Sequence, residues 1–253
     1  MIQFIILISH IKPRCRVAMK NSLLIIFLLL SFTARSNEEE LKVVTEDWPP
    51  FILKGQEVSG IVTSNIREIL AYTDIKYSID VYPWARSFHL ATTNPNILIY
   101  SIYRTKQRES KFHWFCPLYK STPIHVYKLA SNEINIDSLE ALKTSVVGIM
   151  RGDNSHSYFL QQGFQEGVNL DISSNEETNL KKLIKGRIDV VIQSKESLNY
   201  RLGLLGSEDL NLMSGLEISK GESAEHCMAL SLGTKAETIK KIKKGFEQWQ
   251  KTQ

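Results

Sequence analysis

The chain has 253 residues, 43 % of them apolar and 23 % charged, with a formal net charge of +4. Its length suits one large domain or two lobes of about 100 residues each, and it carries no internal repeat, low-complexity tract or long linker. The basic excess is local: five of the 31 Lys and Arg, and none of the 27 Asp and Glu, fall in residues 1–36, which leaves 26 against 27 beyond. A near-neutral remainder gives no electrostatic reason to expect nucleic acid.

The elements begin with a leader. Lys20 precedes the apolar run SLLIIFLLLSF (22–32), then Ala34-Arg35-Ser36 and the acidic Glu38-Glu39-Glu40. A basic start, an apolar core of about ten residues and a small-x-small site read as a secretory signal. The run is short of the roughly 20 residues that span a bilayer. The expectation is a signal peptide over 1–36, cut after Ser36, with Met19 the natural start and a soluble exported chain beyond. A second apolar run, Ile2 to Ile11, leaves an anchored form open.

Strand and helix then alternate. Leu41–Val44 reads as a strand, and Ile61–Leu70 as a helix with Val62, Ile66, Ile69 and Leu70 on one face. Lys76–Tyr82 alternates with period two, as a strand does. Pro83 opens a helix that sets Trp84 and Phe88 one turn apart. Ile97–Tyr100 is a buried strand between turn signals. After Pro117 and Pro123, a plausible lobe boundary, the pattern restarts. Asp137 is expected to cap a short helix at 138–143, before a strand at Val146–Ile149 and a helix from Asn154 to Gln162. Asn175 caps a helix through Ile184, ended by Gly186, and Ile188–Ile192 is a buried strand. Ser197–Leu205 reads as helical, and a second lobe boundary falls in 214–223. The last helix opens with the capping box Thr234-Lys235-Ala236-Glu237 and buries Ile239, Ile242, Phe246 and Trp249. The Lys cluster 240–244 lies on its polar face and reads as solvated surface. Such alternation implies parallel sheets covered on both faces.

The most informative stretch is YSIYRTKQRESKF (100–112). Ser101, Tyr103, Arg104, Thr105 and Arg108 follow an apolar strand, and ligands of open α/β sheets sit beyond the carboxyl ends of strands. Arginine suits a carboxylate because its rigid fork makes two parallel hydrogen bonds. The competing reading is a surface turn whose arginines are solvated or paired with Glu109. Beyond the leader two cysteines remain, Cys116 and Cys227, either a disulfide or two small buried hydrophobes. The six histidines are scattered without metal-ligand spacing, so neither a metal nor a cofactor is expected.

TEDWPPF (45–51), YPWARS (82–87), RTKQRESKFHW (104–114) and GRIDVVI (186–192) come in an order that resembles bacterial periplasmic solute-binding proteins of family 3, the polar-amino-acid type that serves ABC importers. The resemblance covers about residues 41–250. It implies an α/β fold of the type II periplasmic-binding class: two lobes, each a mostly parallel sheet flanked by helices, joined by two crossing strands. Lobe 1 would hold 37–120 plus 223–253, and lobe 2 121–222. By the same resemblance Arg108 clamps a ligand carboxylate, Trp48 stacks on the ligand, and Ser101 belongs to the serine-rich segment before that arginine, with Tyr103 replacing a common serine. Gly148 to Asn154 matches the strand-to-helix turn whose free N–H groups face the carboxylate, with Asn154 in the usual threonine place. The family's amine-binding aspartate falls on Ser194, a departure that weighs against an α-amino acid. Glu46 either faces solvent or takes over the amine contact. Arg104 and Arg151 stand between ligand contact and salt bridge, and Asp189 is expected to bond local backbone. The resemblance also sets Cys116 and Cys227 on or near the two crossings, where a disulfide joins neighbours.

The reading that follows is a monomeric periplasmic binding protein without catalysis, capturing a small anionic or zwitterionic, amino-acid-like solute by hinge closure for an ABC permease. A ligand sensor for a membrane receptor is the second class. An enzyme such as a dehydratase is the third, since related folds host one. Glu46 and His156 are then the only acid–base candidates, and no paired constellation supports them.

Overall fold

The computed structural model describes residues 40–219 and 225–253. The leader expected at 1–36, its cleavage site and the Met19 start lie outside the described residues. Two five-stranded sheets organise the rest. The first contains β1 (Leu41–Thr45), β2 (Tyr77–Val81), β3 (Ile97–Tyr103), β4 (Phe112–Tyr119) and β10 (His226–Ser231), in the order β2-β1-β3-β10-β4. β1 pairs in parallel with β2 and β3, whereas β10 runs antiparallel to β3 and β4. β10, an inner strand between β3 and β4, is buried along its whole length, which is why HCMALS is almost free of charge.

Helices cover both faces. On one, α1 (Ile61–Ala71) and the C-terminal α7 (Ala236–Gln250) bury Val62, Ile66, Ile242, Phe246 and Trp249 against Val43, Leu98 and Phe115. Gly245 allows the two helices to touch, since a Cβ there would stand 2.8 Å from the Ile69 carbonyl oxygen. On the other face α2 (Trp84–Thr93) packs Trp84 and Ala91 with Val44, Ile99 and Phe112.

The second sheet contains β5 (Ile124–Leu129), β6 (Val147–Met150), β7 (Leu170–Ser173), β8 (Val190–Ser194) and β9 (Leu212–Glu217), in the order β7-β6-β8-β5-β9. Its helices are α3 (Leu139–Leu142), α4 (Asn154–Gln161), α5 (Glu176–Ile184) and α6 (Lys195–Leu204). β6 is parallel to β7 and β8, and β5 is antiparallel to β8 and β9. The chain crosses between the sheets twice, from β4 to β5 and from β9 back to β10. Cys116 on β4 and Cys227 on β10 are disulfide-bonded, with Cα atoms 4.7 Å apart at a sequence separation of 111.

Several local expectations shift. Each sheet is mixed, not mostly parallel, because a returning strand is inserted next to the parallel trio. β3 runs on to Tyr103, so Ser101 and Tyr103 belong to the strand and not to the turn beyond it. Ser138, not Asp137, caps α3, accepting the Ala141 N–H at 3.2 Å. β8 starts at Val190, two residues later than expected, and Asp189 instead accepts the Val146 N–H at 2.7 Å. The capping box at 234–237 does not form: Thr234 Oγ1 takes the Asn96 N–H at 3.2 Å, and Lys235 becomes the cap residue of α7.

Candidate functional site

The carboxyl ends of β1 and β3 face the start of α4 and α5 across a cavity of about 100 Å³. Glu46 and Trp48 reach it just past β1, Ser101 and Tyr103 from the end of β3, and Arg108 from the loop that follows. Trp48 is 6 % exposed and stacks one face on His226, with ring centroids 4.8 Å apart. Ser101 holds a left-handed backbone, φ 61°, and its hydroxyl meets His226 Nδ1 at 2.9 Å. Nε2 of the same ring meets Thr122 Oγ1 at 3.1 Å, inside the first crossing. Burial holds His226 neutral, with its pKa lowered to about 3.

Arg108 is 6 % exposed, with its guanidinium carbon 5.2 Å from the Trp84 ring and 5.1 Å from the Phe88 ring. The rings hold the fork in place, and its N–H groups reach the Tyr103 and Gly152 carbonyls, each at 3.4 Å. The Tyr103 hydroxyl is buried and has no hydrogen-bond partner among the described residues. Burial, followed by the nearby carboxylates, pushes its pKa up, so it keeps its proton and can donate a hydrogen bond to whatever fills the cavity.

The opposite wall is acidic. Asp153 caps α4, accepting the His156 N–H at 2.6 Å, and Asn154 and Ser155 form the first turn beside it. Glu176 opens α5 just after its cap Asn175. Burial raises the Asp153 carboxyl to about 7, although the His156 N–H and Arg108 pull it down. Burial also raises Glu176, which Arg201 opposes, and raises Glu46 well above the usual carboxylate range, with Glu176 and Asp153 adding repulsion. Among the residues that line the cavity, three carboxylates therefore face one guanidinium.

Direct bonds close the cleft. The Trp84 indole N–H donates to the Gly152 carbonyl at 2.7 Å, where Gly152 takes a φ of 72° that suits glycine. From α6, Arg201 donates to the Asp47 carbonyl at 2.9 Å and lies 3.4 Å from Glu176 Oε2, with its side chain 3 % exposed.

Of the residues named from the sequence, Glu46, Trp48, Ser101, Tyr103, Arg108 and Asn154 meet at this cavity. Three do not. Arg104 is paired with Glu109, Nε to Oε2 at 2.7 Å, on the exposed side of the loop. Arg151 is exposed, because the turn that presents the Gly152 carbonyl inward turns its neighbour outward. Ser194 is buried as the cap of α6, accepting the Ser197 N–H at 3.2 Å. His156 is also spent: Nδ1 accepts the Gly152 N–H at 3.1 Å and Nε2 faces Glu166 at 3.0 Å. The sequence reading missed Asp153, Glu176 and Arg201. An acid right after a capping asparagine was a usable signal for Glu176, and an arginine between Leu198 and Leu202 on the buried stripe of α6 was one for Arg201.

The chain matches no protein-family model and no curated protein. Solved structures do match. An ancestral arginine-binding protein bound to arginine has a TM-score of 0.70 at 20 % identity, covering 84 % of this chain and 92 % of that one. A histidine kinase sensor domain with similarity to periplasmic binding proteins has a TM-score of 0.74 at 18 % identity, covering 86 % and 93 %. An amino acid ABC transporter substrate-binding protein from Streptococcus pneumoniae, bound to L-arginine, has a TM-score of 0.67 at 17 % identity, covering 84 % and 89 %. At these identities the likeness establishes the fold: a two-lobed α/β architecture of the periplasmic-binding-protein kind. Among the described residues no helix is long and apolar enough to cross a membrane.

Proposed function

We propose that this chain is a periplasmic substrate-binding protein that takes a small zwitterionic, amino-acid-like solute between its lobes and presents it, as a monomer, to an ABC permease. The observation that carries the reading is the charge arrangement of the cavity, where Arg108, held by two rings, shares its own wall with Glu46 and faces Asp153 and Glu176 across the space. A guanidinium fork suits a carboxylate, and buried carboxylates suit an ammonium. A solute with only negative charge would meet three acids, so of the anionic and zwitterionic alternatives the zwitterion fits. The moving bodies would be 37–120 with 223–253 against 121–222, hinged at the two crossings.

The amino-acid complexes among the structural neighbours support this reading. Binding without turnover fits a cavity beside which His156 and His226 are each bonded at both ring nitrogens. A thermal-shift screen of amino acids, small carboxylates and sugar acids tests it. A true ligand at 100-fold excess over its Kd adds roughly 2.7 kcal/mol of stability and is recovered unchanged. A flat response to every zwitterion refutes it. The histidine kinase sensor domain among the neighbours supports a second reading, in which the occupied protein signals to a membrane receptor. Cells that lack a cognate permease and take up none of the solute, yet still respond to it through this protein, would favour that reading.

A further inference from the structure

Behind the acidic wall lies a second, smaller space of about 10 Å³, enclosed by β6, β8 and α5. A space of that size holds one water-sized group. It shares Met150, Asp153, Ser155, Glu176 and Ile192 with the main cavity, and adds Asn179 from α5 and Gln193 from β8. Both added side chains are almost wholly enclosed, Asn179 at 3 % and Gln193 at 1 % exposure. Each has an amide oxygen with no hydrogen-bond partner among the described residues. The Gln193 amide N–H₂ reaches only the Glu176 carbonyl, at a long 3.5 Å. Gly148 makes room for the Asn179 amide, since a Cβ there would lie 3.3 Å from Asn179 Oδ1.

Buried amide oxygens without donors are rare, and each carries the desolvation of an unpaired polar group. Here they border a space that also touches two carboxylates, and burial pushes both of those upward. The chemistry in deficit is a compact donor with positive charge. Water supplies two donors and no charge. A guanidinium is planar, with five donors spread over a fork, and is too wide for a space of one water. A primary ammonium offers three donors on one atom and matches the space, the acceptors and the charge.

We infer that this annex, bounded by Asn179, Gln193, Asp153 and Glu176, receives one primary ammonium group that enters from the main cavity. The inference rests on the solute-binding reading and adds to it a rule of selection: the solute presents an unsubstituted ammonium there, and guanidinium or N-alkylated groups are excluded. The same chemistry is available from a free ammonium ion, so the experiment separates the two sources.

The exported protein is titrated calorimetrically with L-alanine, L-lysine and L-arginine, and with the same compounds trimethylated on each primary amine in turn. At least one parent compound binds, and trimethylating one of its amines weakens it at least about 100-fold, because a site built for N–H donors is left unpaired. Gln193→Leu and Asn179→Leu, made separately and checked by circular dichroism, each weaken the parent about tenfold, the worth of a hydrogen bond to a charged group. Neither variant changes the trimethylated form by more than about twofold. Stabilisation by ammonium chloride over tetramethylammonium chloride, lost in Gln193→Leu and without discrimination among the amino acids, assigns the annex to the free ion. Parent binding that depends on Arg108 but is unchanged in both Leu variants overturns the annex and leaves the solute-binding reading standing. Absence of binding by these three and by every other amino acid of the thermal-shift screen overturns both.

Discussion

Removing the Arg201 side chain is the sharpest test of how the acidic cavity is held. Arg201 is 3 % exposed in its side chain and bridges Glu176 on its own lobe and Asp47 across the cleft. Its 3.6 Å contact with the half-exposed Asp47 carboxylate sits near water and is worth ~0–1 kcal/mol. The hydrogen bond to the Asp47 carbonyl adds ~1.5–3 kcal/mol as a charged donor. Breaking the pair with Glu176 leaves a buried charge unmatched, for which about 3–5 kcal/mol is the expected loss. Burial already raises Glu176, and Arg201 is the strongest influence lowering it again. In Arg201→Ala the Glu176 pKa therefore climbs further. A carboxyl raised in the folded state binds its proton more tightly there than in the unfolded chain. The penalty is absent below the unfolded value of about 4.5, grows by up to ~1.4 kcal/mol per pH unit above it, and is complete once pH passes the folded value. Urea unfolding of wild type and Arg201→Ala, read by circular dichroism at pH 4.5 and 7.5, should show a difference of ~4 kcal/mol or more at pH 7.5 that shrinks by about half or more at pH 4.5. Comparing the two proteins at each pH removes the titrations of Glu46 and Asp153 common to both. A loss that is independent of pH, or below about 1 kcal/mol at pH 7.5, refutes the account of Glu176 as a buried charge kept by Arg201.

Arg108→Ala should cost more than ~1.5–3 kcal/mol in binding while the fold survives, and Arg108→Lys should not restore it, because an ammonium lacks the planar fork; wild-type affinity in a folded Arg108→Ala protein excludes the clamp. Asp153, raised to about 7, is half protonated near neutrality, and an arriving ammonium lowers it, so binding should release a proton and tighten as pH rises through that region. Calorimetric enthalpies at pH 7 in buffers of different ionisation heat check this, and identical enthalpies in all of them speak against it. Replacing both Cys116 and Cys227 with serine should cost up to ~4.7 kcal/mol, since the bond closes a loop of more than 100 residues in the unfolded chain; unchanged urea midpoints contradict that. N-terminal sequencing of exported protein should start at Asn37, and an intact leader in the membrane fraction would contradict cleavage after Ser36.

What was legible in the sequence was local chemistry. Asn175 announces the start of α5 through its own side chain, which accepts the Thr178 N–H at 2.8 Å. The apolar stripe of α7 announces its buried face. Arg108 was legible because a short motif fixes its distance from an apolar strand. What depended on distant partners was not. Thr234 looks like a helix cap until Asn96, 138 residues away, claims its hydroxyl. Ser194 looked like a ligand contact by spacing from GRIDVVI, yet β8 runs two residues further than the apolar run and makes position 194 a cap. The antiparallel returns β5 and β10 carry no periodicity that separates them from parallel strands, so alternation alone could not disclose a mixed sheet.

The same limit applies to charge. Beyond residue 36 the chain is nearly neutral, which on its own suggests an unremarkable surface. Folding concentrates Glu46, Asp153 and Glu176 around one enclosed space and leaves Arg104 and Arg151 outside it, so a segment that reads as rich in arginine contributes to a cavity rich in acid. Each of the three carboxyls is raised by burial, and the excess repulsion is smallest when a positive group sits among them. Such a group gains more in the closed form than in an open one, where water screens the same acids. In the proposed binding cycle, closure and ligand charge are thereby coupled through one electrostatic term, and the cross-cleft bonds of Trp84 and Arg201 favour the same closed arrangement.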